Sequence, residues 1–115
     1  MTDQQTPADD KLVEIWACVW RAGKDDDTFD PSEFQSRIPR LMQWLASLRA
    51  SGNLVACGGG SWENHGGGLT LLRADSYEHA KELSDGTPMN EIGTTDIMVW
   101  DVFFADLNVA REFAK

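Results

Sequence analysis

The run Leu12–Trp20, LVEIWACVW, has the length and the Val, Ile and Trp content of a strand. Its two faces read Val13, Ile15, Ala17, Val19 and Leu12, Glu14, Trp16, Cys18, Trp20. Both are mostly apolar, which predicts a central strand covered on both sides. Arg21–Asp30 is polar and reads as a loop. Asp30-Pro31-Ser32-Glu33 then opens a helix: Asp30 accepts from exposed N–H groups, Pro31 suits the first helical position, and Glu33 resembles the reciprocal member of a capping box. Phe34, Ile38, Leu41, Met42, Leu45 and Leu48 follow with helical spacing. Pro39 predicts a kink, or a restart of the helix near Ile38, and Gly52 supplies the stop.

Downstream, Asn53–Cys57 reads as a short strand, Gly58–Gly68 (GGGSWENHGGG) as a flexible loop, and Leu69–Arg73 as a third strand. Asp75-Ser76-Tyr77-Glu78 is a second capping box, opening a helix through about Ser84. Asp85–Gly93 is rich in turn residues. Thr94–Phe104 reads as a long fourth strand, and Leu107–Phe113 as one or two helical turns. Residues 1–10 read as a flexible N-terminal arm, and 11–115 as a single domain. The order β-α-β-β-α-β is that of an α+β, ferredoxin-like fold: a four-stranded antiparallel sheet with two helices on one face. The expected strand order is four, one, three, two. The opposite sheet face is also apolar, which predicts a homodimer packed sheet to sheet through that open face.

Charge narrows the partners. Nineteen acids against ten bases give a net charge of −9, which argues against nucleic acid or an anionic membrane. The bases cluster: residues 34–52 hold three arginines and no acid, most simply a solvated helix face. No apolar run approaches the roughly 20 residues that span a bilayer, and the polar start resembles neither a signal nor a transit peptide. The expectation is a cytoplasmic protein. Cys18 and Cys57 lack CxxC spacing and read as buried, reduced thiols on strands too far apart to bridge.

Few residues carry obvious chemistry. His65, beside Glu63 and Asn64 in the glycine-rich segment, is the candidate general base, with Glu14 and Asp101 as further proton carriers. Its ordinary reading is an exposed loop histidine, and His79 reads as a solvated helix residue. The glycine clusters lack the Lys-Ser/Thr pair of a phosphate loop. Asp25-Asp26-Asp27 with Asp30 and Glu33 lacks the spacing of a calcium loop. No metal or cofactor is expected. Of the five tryptophans, Trp16 and Trp100 suit a core, an interface or a pocket wall, and Trp62 suits a lid over a ligand.

One set of residues resembles a known family. Leu41-x-x-x-Leu45-x-x-Leu48-x-x-x-Gly52 after a proline, then Leu54, Ala56-Cys57-Gly58, Gly67-Gly68-Leu69, Ala74-Asp75-Ser76 with Ala80, and Val99-Trp100-Asp101-Val102 resemble the YCII-related domain family. The resemblance implies a dimeric α+β barrel. It also implies a histidine near the start of the first helix and an aspartate in an Asp-Pro step. Those positions fall on Leu41 and on Thr87 of Thr87-Pro88, and neither side chain transfers protons near neutral pH. Three readings follow. The first is a lyase or isomerase on a small cyclic or aromatic metabolite, with His65 as the proton carrier. The second is a non-catalytic homodimer binding a small apolar molecule among Leu41, Trp16, Trp62, Thr87 and Trp100. The third, by fold analogy alone, is a cofactor-free oxygenase.

Overall fold

The computed structural model of the chain describes residues 14–23, 30–62 and 65–107, with the side chains of 61, 62 and 65 outside that description. The arm of residues 1–10, the acidic run 25–27 and the expected turns beyond Leu107 lie outside the described residues. The first strand, β1, is Glu14–Ala22, so Arg21 and Ala22 extend a strand expected to end at Trp20. The first helix, α1, is Pro31–Ala50. Asp30 caps it, one carboxylate oxygen accepting from the Ser32 N–H (2.9 Å) and the Ser32 hydroxyl (2.8 Å). It closes at Gly52, whose φ of +84° is the left-handed turn that frees Asn53 N–H to donate to Leu48 C=O at 2.9 Å. Pro39 lies inside this helix without ending it. Proline removes one ladder hydrogen bond, but Pro39 is exposed and the apolar residues on both sides of it pack on the same sheet.

The largest correction concerns the glycines. The second and third strands, β2 (Leu54–Trp62) and β3 (His65–Ala74), run straight through Gly58–Gly60 and Gly66–Gly68, pairing Gly59 with Gly68 and Trp62 with His65. Glycine forms weak strands, and the flanking Leu54/Leu72 and Ala56/Leu71 pairs hold the hairpin in register, with an irregularity between Leu54 and Ala56. The second helix, α2, is Tyr77–Ser84. Its cap is Ser76, whose hydroxyl accepts from His79 N–H at 3.0 Å, so His79 occupies the position that a capping box gives to an acid. A 3-10 turn, Pro88–Glu91, follows, with the Thr87 hydroxyl accepting from Met89 N–H at 3.2 Å. The last strand, β4, is Gly93–Val99. It stops five residues short of Phe104, and its last pair with β1 is Trp16 with Val99. The final bond is Trp100 N–H to Ile15 C=O at 2.8 Å.

The sheet order is β2-β3-β1-β4, all antiparallel, as the sequence predicted for a ferredoxin-like fold. Residues paired across antiparallel strands share a face, so Trp16, Cys18, Trp20 and Ala22 face the helices together with Leu72 and Ile97. Leu72 is fully buried beneath α1, in a cluster with Cys18 and Leu48 that Trp44, Leu54 and Leu83 complete. Trp16 packs with Ala74 and Ala80, and Trp20 with Ala22 and Met89. Each indole finds an acceptor: Trp16 Nε1 donates to Ala74 C=O (3.3 Å), and Trp20 Nε1 to Met89 C=O (2.9 Å). Such pairing offsets the cost of desolvating the N–H. The opposite face carries Ile15, Ala17, Val19, Leu69, Leu71 and Met98, with Arg21, Arg73 and Asp96 among them. No helix covers it.

The two thiols are unbridged, with Thr70 of β3 between them. Cys18 is buried; burial pushes its thiol pKa up, and a hydrogen bond with the buried Ser84 works in the other direction. Cys57 is exposed, contrary to expectation, because it lies on the edge strand.

Candidate cleft between the helices

The seam where α1 passes the loop from α2 into the 3-10 turn leaves a cleft of about 400 Å³. Trp44, Gly86, Thr87 and Pro88 form its inner wall, and Arg40, Gln43, Asp85 and Glu91 its rim. Trp44 is positioned by helical spacing: it lies three residues after Leu41 and four before Leu48, on the face that α1 turns to the sheet. Its Nε1 donates to Leu83 C=O at 3.0 Å, which fixes the indole edge at the cleft. Gly86 leaves room for the indole: a Cβ would stand 3.0 Å from Trp44 Cδ1 and Nε1, so the ring would have to shift by a few tenths of an ångström. Thr87 is buried, and its hydroxyl is occupied in capping the 3-10 turn.

The rim is ordered by charge. Arg37 Nε and Arg40 Nη2 each donate to Glu91 Oε1 at 2.9 Å, and Arg37 also pairs with Glu33 at 2.6 Å. The hydrogen bonds from Arg40 and Arg37, reinforced by their charges, hold the Glu91 carboxyl at a pKa of about 2 instead of 4.5. Two of the three arginines read as a solvated face, Arg37 and Arg40, thus tie the 3-10 turn to α1. Because both guanidinium groups are engaged, the rim is a polar collar and not an open anion site. Lys81 is held by Asp85 at 3.0 Å in the same way. Among the described residues, no three His, Cys, Asp or Glu side chains converge as a metal-ligand set.

The candidate residues from the sequence do not gather in one place. Leu41 packs against the Trp20, Ala22 and Met89 cluster, with Phe34 and Ile92 beside it. Trp16 belongs to the cluster at the other end of β1, edge-on to Tyr77 at 6.1 Å. Trp100 is exposed beyond the end of β4. Thr87 alone lines the cleft. The backbones of Trp62 and His65 pair at the tip of the β2–β3 hairpin, and their side chains lie outside the described residues. Glu14 and Asp101 are exposed, away from the cleft. His79 bonds through Nδ1 to Asp75 at 3.1 Å at the start of α2. Trp44 and Glu91 were missed as site residues. The 41, 44, 48 spacing signals Trp44; nothing local in the sequence pairs Glu91 with arginines about fifty residues earlier. Comparison with known proteins finds no family model, no curated protein and no solved structure that matches this chain. No described helix is long and apolar enough to cross a membrane.

Proposed function

We propose that this chain is a small-molecule-binding domain of the dimeric α+β barrel type, working as a homodimer without a His/Asp proton relay. The observation that carries the reading is the fate of the two relay positions suggested by the YCII-like pattern. Leu41 is packed against Trp20 and Met89, and the Thr87 hydroxyl is committed to a turn. Neither group moves a proton near neutral pH. The cleft above Thr87 is the site the reading assigns to the ligand. Trp44 and Pro88 offer flat apolar surface, and Gln43 offers a carboxamide that both donates and accepts. A small planar molecule with one polar edge suits that lining.

The test is a fragment screen on the full chain, followed through the indole N–H signals by NMR. Ligands that move the Trp44 signal, and bind at least about tenfold more weakly to Trp44→Ala, support the cleft. A screen in which no fragment disturbs Trp44 at millimolar concentration sinks it. Turnover of a cyclic or aromatic substrate that is abolished by His65→Ala would establish the lyase or isomerase reading instead.

A further inference from the structure

We propose that β2 is a docking edge for a second copy of this chain: two β2 strands pair antiparallel across a two-fold axis, and the flanks of the two α1 helices above them meet. The contact goes beyond the reading above and uses neither the cleft nor the sheet faces. Hydrogen-bond alternation identifies the edge. Trp100 N–H donates to Ile15 C=O and Gly23 N–H to Ile92 C=O, so the odd-numbered positions along β1 bond to β4. The even-numbered ones, Cys18 and Trp20 among them, therefore bond to Thr70 and Gly68 of β3. With Thr70 and Gly68 engaged on that side, their β2 neighbours Cys57 and Gly59 turn N–H and C=O outward, beyond the last described strand of the sheet. Cys57 and Gly58–Gly60 are all exposed. An exposed edge is a template for another strand, and proteins usually blunt it with lysine, proline or a cover. β2 has no charged residue and no proline, and its irregularity sits between Leu54 and Ala56, which leaves Ala56–Trp62 regular. The opposite edge strand, β4, carries Asp96.

The helix above the edge selects a second copy as the occupant. Arg37, Arg40 and Trp44 lie on the flank of α1 that meets α2 and the 3-10 turn. Ile38, Met42 and Leu45 follow helical spacing along the other flank, are partly exposed, and belong to none of the three core clusters of described residues. That flank is turned toward β2, since α1 contacts β2 while α2 contacts β4 at the far side of the sheet. A foreign strand would pair with the edge and leave this apolar stripe in water. A second copy covers edge and stripe in one operation, because a two-fold axis sets each against itself. Charge permits the approach: in a chain of net charge −9, residues 34–62 hold no acid, so neither β2 nor the stripe brings a carboxylate to the contact. The nine residues of β2, with the two or so turns of α1 from Ile38 to Leu45, approach the roughly 20 residues a side of a standard interface. Glycine makes weak strands, and a second neighbour gives Gly58–Gly60 hydrogen bonds on both sides.

The experiment uses the full chain. Amide exchange is followed residue by residue over a concentration series. The amides of Cys57 and Gly59 are expected to slow as the chains associate, while Gly58 and Gly60, whose bonds run to β3, change little. In a mixture of isotopically labelled and unlabelled chains, NMR is expected to show contacts from the Cys57 and Gly59 amides to β2 of the other chain, and from the Met42 methyl to the other α1. Gly59→Pro removes the outward N–H and no bond to β3, a change an edge strand tolerates; far-UV circular dichroism verifies its folding. In sedimentation its association is expected to be weaker by about tenfold or more, as the loss of two symmetry-related hydrogen bonds implies. An oligomer whose contacts between chains avoid β2, or one indifferent to Gly59→Pro, overturns the edge pairing and leaves the homodimer reading standing. Slow exchange at Cys57 and Gly59 at every concentration also overturns it, since the edge is then filled within one chain. A monomer at about 100 µM, above ordinary dimer constants, overturns both.

Discussion

The two aromatic groups of this chain live under opposite rules. On the helix side, Trp16, Trp20 and Trp44 are buried or half-buried, and each indole N–H donates to a backbone carbonyl, of Ala74, Met89 and Leu83 respectively. At the end of β4, Trp100, Phe103 and Phe104 are exposed, and the Trp100 indole has no such acceptor among the described residues. The first group is a core whose polar edges have been matched one by one. The second is apolar surface that the fold of a single chain leaves unmatched. Aromatic content alone does not separate the two. What separates them is whether a partner strand and a carbonyl arrive at the same place.

The sharpest test of this contrast is Leu72→Ala. Leu72 is completely enclosed between Cys18 and Leu48, so truncation leaves a cavity and costs about 2–5 kcal/mol in urea unfolding. Gly93→Ala comes next. A methyl group there collides with the Arg21 carbonyl and the Trp20 indole, lifting that indole off Met89. About 1–3 kcal/mol of destabilisation, with a changed near-UV tryptophan signal, is the expected outcome; an unchanged spectrum would mean that the Trp20 seat is looser than the packing shows. Phe103→Ser is the counterpart beyond the end of β4. With Phe103 98% exposed, it should change unfolding by less than about 0.5 kcal/mol, and a larger loss would show that this segment packs on its own chain.

The smallest effect belongs to Glu91. Its carboxyl titrates near 2 in the folded chain, below its ordinary 4.5, so the stability it contributes is fully present above about pH 4.5 and disappears as the pH falls toward 2. Wild type and Glu91→Gln should therefore differ in melting temperature at pH 6 and converge near pH 2. Curves that stay parallel across that interval would remove the Arg37–Glu91–Arg40 cluster from the account of how the 3-10 turn is held.

Patterning made the fold legible. Asp30-Pro31 marked the start of α1, two-sided apolar character placed β1 in the middle of the sheet, and the element order implied the strand order. The errors share one cause: local signals were trusted where pairing decides. Glycines 58–60 and 66–68 read as loop because glycine disfavours strands, yet Leu54 and Ala56 set the hairpin register from outside them. Val102 and Phe104 read as strand because they alternate, but β4 and its pairing with β1 reach only to Val99. Pro39 was expected to kink or restart the helix; no restart occurs, since one helix runs from Pro31 to Ala50. The site was less legible, since the cleft is made by Trp44 and Thr87, more than forty residues apart, and by a carboxylate bridging two arginines on another element.

The position of β1 also bears on the chain during its synthesis. Of the four described strands β1 is made first, yet both strands that flank it come later, the last of them ending at Val99. At ribosomal rates of about 5–20 residues per second, Trp16 and Trp20 wait roughly 4–15 s for β4. Throughout that interval a two-sided apolar strand stands with an open edge, the kind of segment that nascent-chain chaperones bind. A sheet completed from its middle by its last strand cannot close until that strand is made, and a chain stalled before Gly93 should be found among aggregates.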